Sequence, residues 1–255
     1  MLGLVVWGPM PANAAAHHYA DGRPWLGVPN AANVLVNVPI FWCAAWGWCA
    51  TRTSPWPRRL RMPWQGFHLW VMVGSLVAAM YHVAPSDARF IGSHVCSAGA
   101  ALMLSLGLMA ERVDTRWGSS GASAVAAAIV ASVGLWAEYV RWTGASADVR
   151  PLLLLQGFPL LLIVAGVLRL PQAHPRRSWW PAVLALYACA KLLEWVDAPI
   201  FVATGWISGH TLMHVCNGLI VAWMAYRASA EVKVEATDAT GAALSQRNAS
   251  LNTTG

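Results

Sequence analysis

The sequence predicts an all-α protein, a polytopic membrane bundle of seven transmembrane helices with its N-terminus outside and its C-terminus inside. Three observations predict it. Of the 255 residues, 57% are hydrophobic and only 11% are charged, whereas soluble domains carry about 25% charged residues, so a single water-soluble globule is excluded. Seven segments supply the roughly 20 mainly apolar residues needed to cross a hydrocarbon core: 31–50, 64–82, 90–110, 121–140, 151–170, 179–198 and 207–227. The basic residues are distributed asymmetrically between the two sets of connections, which sets orientation.

Taken in order, residues 1–18 form an N-terminal leader or flexible segment, with a short apolar run from Leu2 to Trp7 and an Ala-rich stretch to Ala16. The apolar run lacks a basic region before it and is short for a signal peptide. Residues 19–227 form the membrane domain. Its connections are short and carry Pro, Gly and Arg, as in Thr51-Arg52-Thr53-Ser54-Pro55-Trp56-Pro57-Arg58-Arg59. With the N-terminus outside, the inner side holds Arg52, Arg58, Arg59, Arg61, Arg112, Arg116, Arg169, Arg176, Arg177, Arg227 and Lys233. The outer side holds Arg23, Arg89, Arg141 and Arg150. Many of the 16 tryptophans fall near span ends, the depth that suits amphipathic rings. The five cysteines form no CxxC pair and read as small buried residues. Residues 228–255 are polar and aperiodic, and are expected to be a disordered tail.

The polar residues inside the spans point to function. His210 and His214 stand at i and i+4 at the mouth of the seventh span, on one helix face. His82 ends the second span. Ligand-type side chains in a membrane segment are costly and suggest a site. Three histidines are a common ligand set for catalytic zinc, with a fourth position open for water. In the predicted orientation His82, Ser93, His94, Glu194, Asp197, His210 and His214 all come to one depth on the outer side. Lys191 and Glu194, one turn apart, can pair and reduce the cost of their burial.

Several segments together resemble the bacterial branch of the alkaline ceramidase family, within the superfamily of seven-span metal-dependent hydrolases. They are Tyr19-Ala20-Asp21-Gly22-Arg23-Pro24-Trp25-Leu26-Gly27-Val28-Pro29-Asn30 with Asn33 and Asn37; Tyr81-His82-Val83-Ala84-Pro85 through Arg89; Glu111-Arg112-Val113-Asp114; and Lys191, Glu194, Asp197, Thr204-Gly205 and Ser208-Gly209-His210-Thr211-Leu212-Met213-His214. They cover most of residues 19–227 in order. The resemblance implies a zinc ion held by His82, His210 and His214, and cleavage of the amide bond of a ceramide-like membrane lipid by metal-activated water. The family's serine four residues before the first histidine is Ala78 here, and its aspartate early in the third span is Ser93. Ser93 is the candidate catalytic residue, its hydroxyl able to hydrogen-bond a zinc-bound water. The alternative is a catalytically impaired, metal-containing lipid-binding or receptor-like relative.

The remaining polar residues receive structural readings. Eukaryotic ceramidases hold calcium with N-terminal carboxylates, so calcium is a secondary expectation at Asp21, Asn30, Asn33 and Asn37; helix capping and hydrogen bonding between spans are the preferred reading for these four. His17 and His18 are expected to be solvated, and His68 and His174 structural. No basic run with interleaved aromatics suggests nucleic acid. Haem stacking on His68 and His82 lacks a matching pair on another span, and no internal repeat suggests a transporter. The expected location is a bacterial inner membrane.

Overall fold

The computed structural model of the chain describes residues 17–143, 148–171 and 180–252, with residues 231–252 described by their backbone alone. Most of the expected leader, together with His174, Arg176 and Arg177, lies outside the described residues. Nine α-helices occur among them: α1 (Ala31–Leu35), α2 (Asn37–Thr53), α3 (Arg58–Val83), α4 (Asp87–Arg112), α5 (Ser120–Trp142), α6 (Arg150–Arg169), α7 (Trp180–Trp195), α8 (Asp197–Thr204) and α9 (Gly209–Asn252). No strand is present among the described residues; Trp25 and Val28 form an isolated bridge. The all-helical expectation holds.

Five helical segments are long and apolar enough to cross a membrane: Ala31–Thr53 (α1 with α2), α3, α4, α5 and α6. The sixth and seventh expected spans are helical, but they differ from these in describable ways. α7 is described over only 16 residues, and the first turns of α9 carry His210, His214 and Asn217, which dilute its apolar character. The helix α9 also continues through the segment expected to be a disordered tail, as far as Asn252. That stretch is rich in Ala, the best helix former. Leu135 (73% exposed) and Leu168 (74%) are typical of the outward faces. An outside this apolar suits lipid rather than water.

α4 packs against α3, α5 and α6, while α9 packs against α2 and α7. The core between them includes Phe67, Met103, Leu108, Ile163, Trp180, Ile220 and Met224. One end of the bundle is basic: Arg61 donates to the Arg52 and Ser54 carbonyls, and Arg112 donates to the carbonyls of Gly166 and Leu170 at the end of α6. His82, Asp87 and His210 lie at the other end. There α9 begins in close contact with the end of α7. A Cβ added at Gly209 would stand 2.1 Å from the Leu193 carbonyl oxygen and 2.8 Å from Asp197 Cα.

Because both obstructions are backbone atoms, Gly209→Ala should destabilise the protein by about 1–3 kcal/mol, the usual cost of overpacking. Gly157, in α6, has nothing within 4 Å of an added Cβ. Gly157→Ala should therefore leave the thermal midpoint in detergent unchanged or raised. Equal midpoints for the two variants would show that α9 is not seated as described.

Candidate metal centre

The site forms where two helix ends are each stopped by local sequence. α3 ends at Val83, two residues before Pro85, whose ring disfavours helical geometry in the residue before it. His82 therefore sits in the last turn of α3. α8 ends at Gly205 in the left-handed region (φ 72°), a conformation glycine adopts without strain. The chain then turns, and Ser208 caps α9 by accepting from the Thr211 amide at 3.2 Å. A second free amide of that first turn, His210 N, donates to Asp197 Oδ1 at 2.6 Å. Both histidines of α9 are thus held in its first two turns.

The structure brings His82, His210 and His214 together. One ligand nitrogen from each lies within 4.8 Å of the others. The ring centroids are 5.3 Å apart for His82 and His210, 5.1 Å for His82 and His214, and 5.0 Å for His210 and His214. His82 Nε2 stands 3.1 Å from His214 Nε2. Two nitrogens bound tetrahedrally to one zinc at about 2.0–2.1 Å would be about 3.3 Å apart, so this pair is already near ligand spacing. His82 is buried and the other two are half-buried. His210 Nε2 is buried and hydrogen-bonds to nothing, a condition that ordinarily costs about 1–3 kcal/mol. A buried imidazole nitrogen left bare beside two other imidazoles is what a metal ligand needs, so the three residues fit a divalent metal.

Ser93, the candidate catalytic residue, lies half-buried in the second turn of α4. Its carbonyl accepts from Ser97 Oγ at 3.1 Å, but none of the hydrogen bonds among the described residues joins its hydroxyl to the three imidazoles. Ala78 is buried one turn before His82 and offers only a methyl group. His94 is occupied elsewhere: Nδ1 is 3.0 Å from the Phe90 carbonyl and its ring lies on Phe90 with centroids 3.9 Å apart. Lys191 and Glu194 pair at 2.6 Å as expected. His68 is buried against Gly47, 14 residues back along α3 from His82.

Of the four N-terminal residues expected to bond between spans, Asn30 and Asn33 do so, while Asn37 bonds within its own helical segment and Asp21 bonds to Arg23. Asn30 Nδ2 donates to the His82 carbonyl at 2.8 Å, and Asn37 Nδ2 donates to the Asn33 carbonyl at 2.7 Å. Thr211 Oγ1 donates to Asn33 Oδ1 at 2.6 Å, tying α1 to α9 between the two histidines. Asp21 is buried and accepts from Arg23, whose Nη2 also donates to the Trp206 carbonyl at 2.7 Å. Of the oxygens considered for calcium, both of Asp21 accept from Arg23 and Oδ1 of Asn33 accepts from Thr211.

His17 corrects the expectation of a solvated terminus. Its Nδ1 lies 3.0 Å from the Tyr81 hydroxyl and its Nε2 lies 2.9 Å from Asp87 Oδ1. Two further roles were not expected. Asp197 Oδ2 accepts from the Ala20 amide at 3.0 Å, so one carboxylate holds both the N-terminal segment and the start of α9. Tyr19 places its ring 4.9 Å from that of His82 and 4.8 Å from that of His210. Contacts between residues so far apart in the chain leave no periodic trace in the sequence.

Asp21 makes the attachment of this segment pH-dependent. The Arg23 guanidinium beside it holds its carboxyl below the usual carboxylate range. A depressed folded-state value contributes stability that is complete above the unfolded value of about 3.9 and is lost as pH falls through the lower folded value. The hydrogen-bonded amides of Ala20, Arg23 and Trp25 should be protected from hydrogen exchange at neutral pH, relative to intrinsic rates, and lose protection under strong acid. Asp21→Asn should leave them weakly protected at both. Protection in the wild type that does not change with pH would contradict this attachment.

Comparison with known protein families, curated proteins and solved structures finds no match to this chain.

Proposed function

We propose that this protein is a zinc-dependent integral membrane hydrolase of the alkaline ceramidase type, cleaving the amide bond of a ceramide-like lipid. One observation carries the reading: three imidazoles from α3 and α9 converge at one end of an apolar helical bundle, with ligand nitrogens within 4.8 Å of one another. His82, His210 and His214 would hold the zinc. The motif resemblance supplies the reaction class, since the convergence alone fits any chemistry of a three-histidine metal.

In this reading α7 and α9 are the sixth and seventh membrane crossings, with the N-terminus outside and the C-terminus inside. The gathering of Arg52, Arg61 and Arg112 at the end opposite the histidines supports that orientation. The site then opens toward the outer leaflet of a bacterial inner membrane, where a lipid enters sideways and its acyl chain never leaves hydrocarbon.

Bound zinc would supply a water of pKa about 7 and polarise the amide carbonyl. The chain's own contributions are more limited. Asp197, by accepting the His210 amide, fixes the start of α9 and thereby the direction of both its histidines. Asn30, by donating to the His82 carbonyl, fixes the last turn of α3. Ser93 is the hydroxyl assigned to hydrogen-bond the attacking water. Hydrocarbon packing around α3 and α4 excludes bulk water from the inner side of the site.

A specific observation favours a second reading, a metal-containing lipid-binding or receptor-like protein without turnover. Neither Ala78 nor Ser93 offers a carboxylate, and the Ser93 hydroxyl makes no hydrogen bond to the triad. Losing one such group typically costs about two to three orders of magnitude in rate.

Elemental analysis of the purified protein should find about one zinc per chain, and His82→Ala and His210→Ala should each lose most of it. Variants that keep the wild-type metal content would remove the site from these residues. With an N-acyl sphingoid lipid as substrate, Ser93→Ala should lower kcat and leave the metal content unchanged. Full zinc with no turnover of any N-acyl lipid would select the second reading.

A further inference from the structure

The segment before α1 crosses the end of the bundle as a strap, and its ties reach α3, α4, α8 and the turn that leads into α9. His17 meets Tyr81 and Asp87. The Ala20 amide meets Asp197. Arg23 donates to the Gly205 and Trp206 carbonyls and lies 5.0 Å from the Phe201 ring centroid. Asn30 meets the His82 carbonyl. Between these anchors one side chain points inward: the Tyr19 ring lies edge-on to His82, with an interplanar angle of 67°, and tilted against His210 at 48°. It also stands edge-on to Tyr81, 6.2 Å away, which His17 holds in turn.

The two imidazoles that Tyr19 touches come from different helices, and both need something to set their ring orientation. His82 Nδ1 is buried without a hydrogen-bond partner. It therefore lacks the carboxylate or carbonyl that usually fixes the ring of a metal-binding histidine from behind. The neighbouring main-chain bonds at His82 and His210 hold backbone atoms and do not set the tilt of either ring, and the other ring nitrogen of His82 faces only another candidate ligand, His214. Aromatic rings in edge and tilted contact have a preferred geometry, so Tyr19 restricts both rotations at once.

Building on the zinc reading above, we propose that Tyr19 is a positioning residue of the metal centre: its ring, carried by the N-terminal strap, locks the His82 and His210 imidazoles into convergence. The strap is thereby part of the binding site. Zinc affinity is set by a segment that contributes no ligand.

The test measures zinc affinity by chelator competition in detergent for the wild type, Tyr19→Phe, Tyr19→Leu and Tyr19→Ala. Each is compared with the melting of its metal-free form and with the visible spectrum of its cobalt(II) form. Removing the group that orients a metal-binding histidine typically weakens affinity by about 10–100-fold. Tyr19→Ala should fall in that range, with a weakened or shifted tetrahedral cobalt band, while its metal-free form melts close to the wild type. Tyr19→Phe keeps the ring and should bind zinc as the wild type does. Tyr19→Leu keeps the bulk without a flat face and should bind nearly as weakly as the alanine variant; it carries the test if Tyr19→Ala fails to fold. Wild-type affinity in both the Ala and Leu variants would overturn the proposal while leaving the histidine site standing. Equal losses in Phe and Ala would also overturn it, by assigning the effect to the hydroxyl. A wild-type protein that binds no zinc would overturn this proposal together with the function it rests on.

Discussion

The constraint from which everything else follows is the meeting of two helix ends in an apolar surrounding. α3 stops just after His82, and α9 starts just before His210. Because helix ends leave main-chain donors and acceptors unpaired, each such end must be supplied with partners. Here the partners come from Ser208, Asp197 and Asn30. The polar groups that complete the backbone at this end therefore also fix where the histidines stand. A Cβ at Gly209 would force α9 away from α7, so the absence of a side chain there is part of the same arrangement.

Asp197 shows how economical this end of the bundle is. One carboxylate accepts from the first turn of the helix bearing two of the histidines and from the strap that covers them. Thr211 and Asn33 repeat the pattern from the other side, joining α1 to α9 within the interval between His210 and His214. Charge at the opposite end of the bundle works differently, with arginine side chains completing the carbonyls of helix termini.

Much of the architecture could be read from residue order. Apolar runs of membrane-spanning length located the helices, and the i, i+4 spacing of His210 and His214 placed both on one face. Convergence with His82 was inferred from depth, since span count and arginine bias bring both ends to the same side. What could not be read this way depended on contacts across long stretches of chain. His17 looked like a solvated terminal residue because nothing local marks its partners, Tyr81 and Asp87. Tyr19 stood among motif residues, yet its placement against two imidazoles depends on the strap folding back over the bundle. Ser93 shows the opposite limit. Its position in the second turn of α4 followed from the span boundaries, while its hydroxyl makes no hydrogen bond to the triad.

X-ray absorption at the zinc edge, on protein purified without added metal, tests the central claim most directly. The account predicts a metal bound by three imidazole nitrogens and one oxygen ligand, at about 2.0–2.2 Å. The imidazole scattering should shrink when His82 or His214 is replaced. A first shell containing sulfur at about 2.3 Å, or a protein that carries no metal under conditions in which it remains folded, would contradict it.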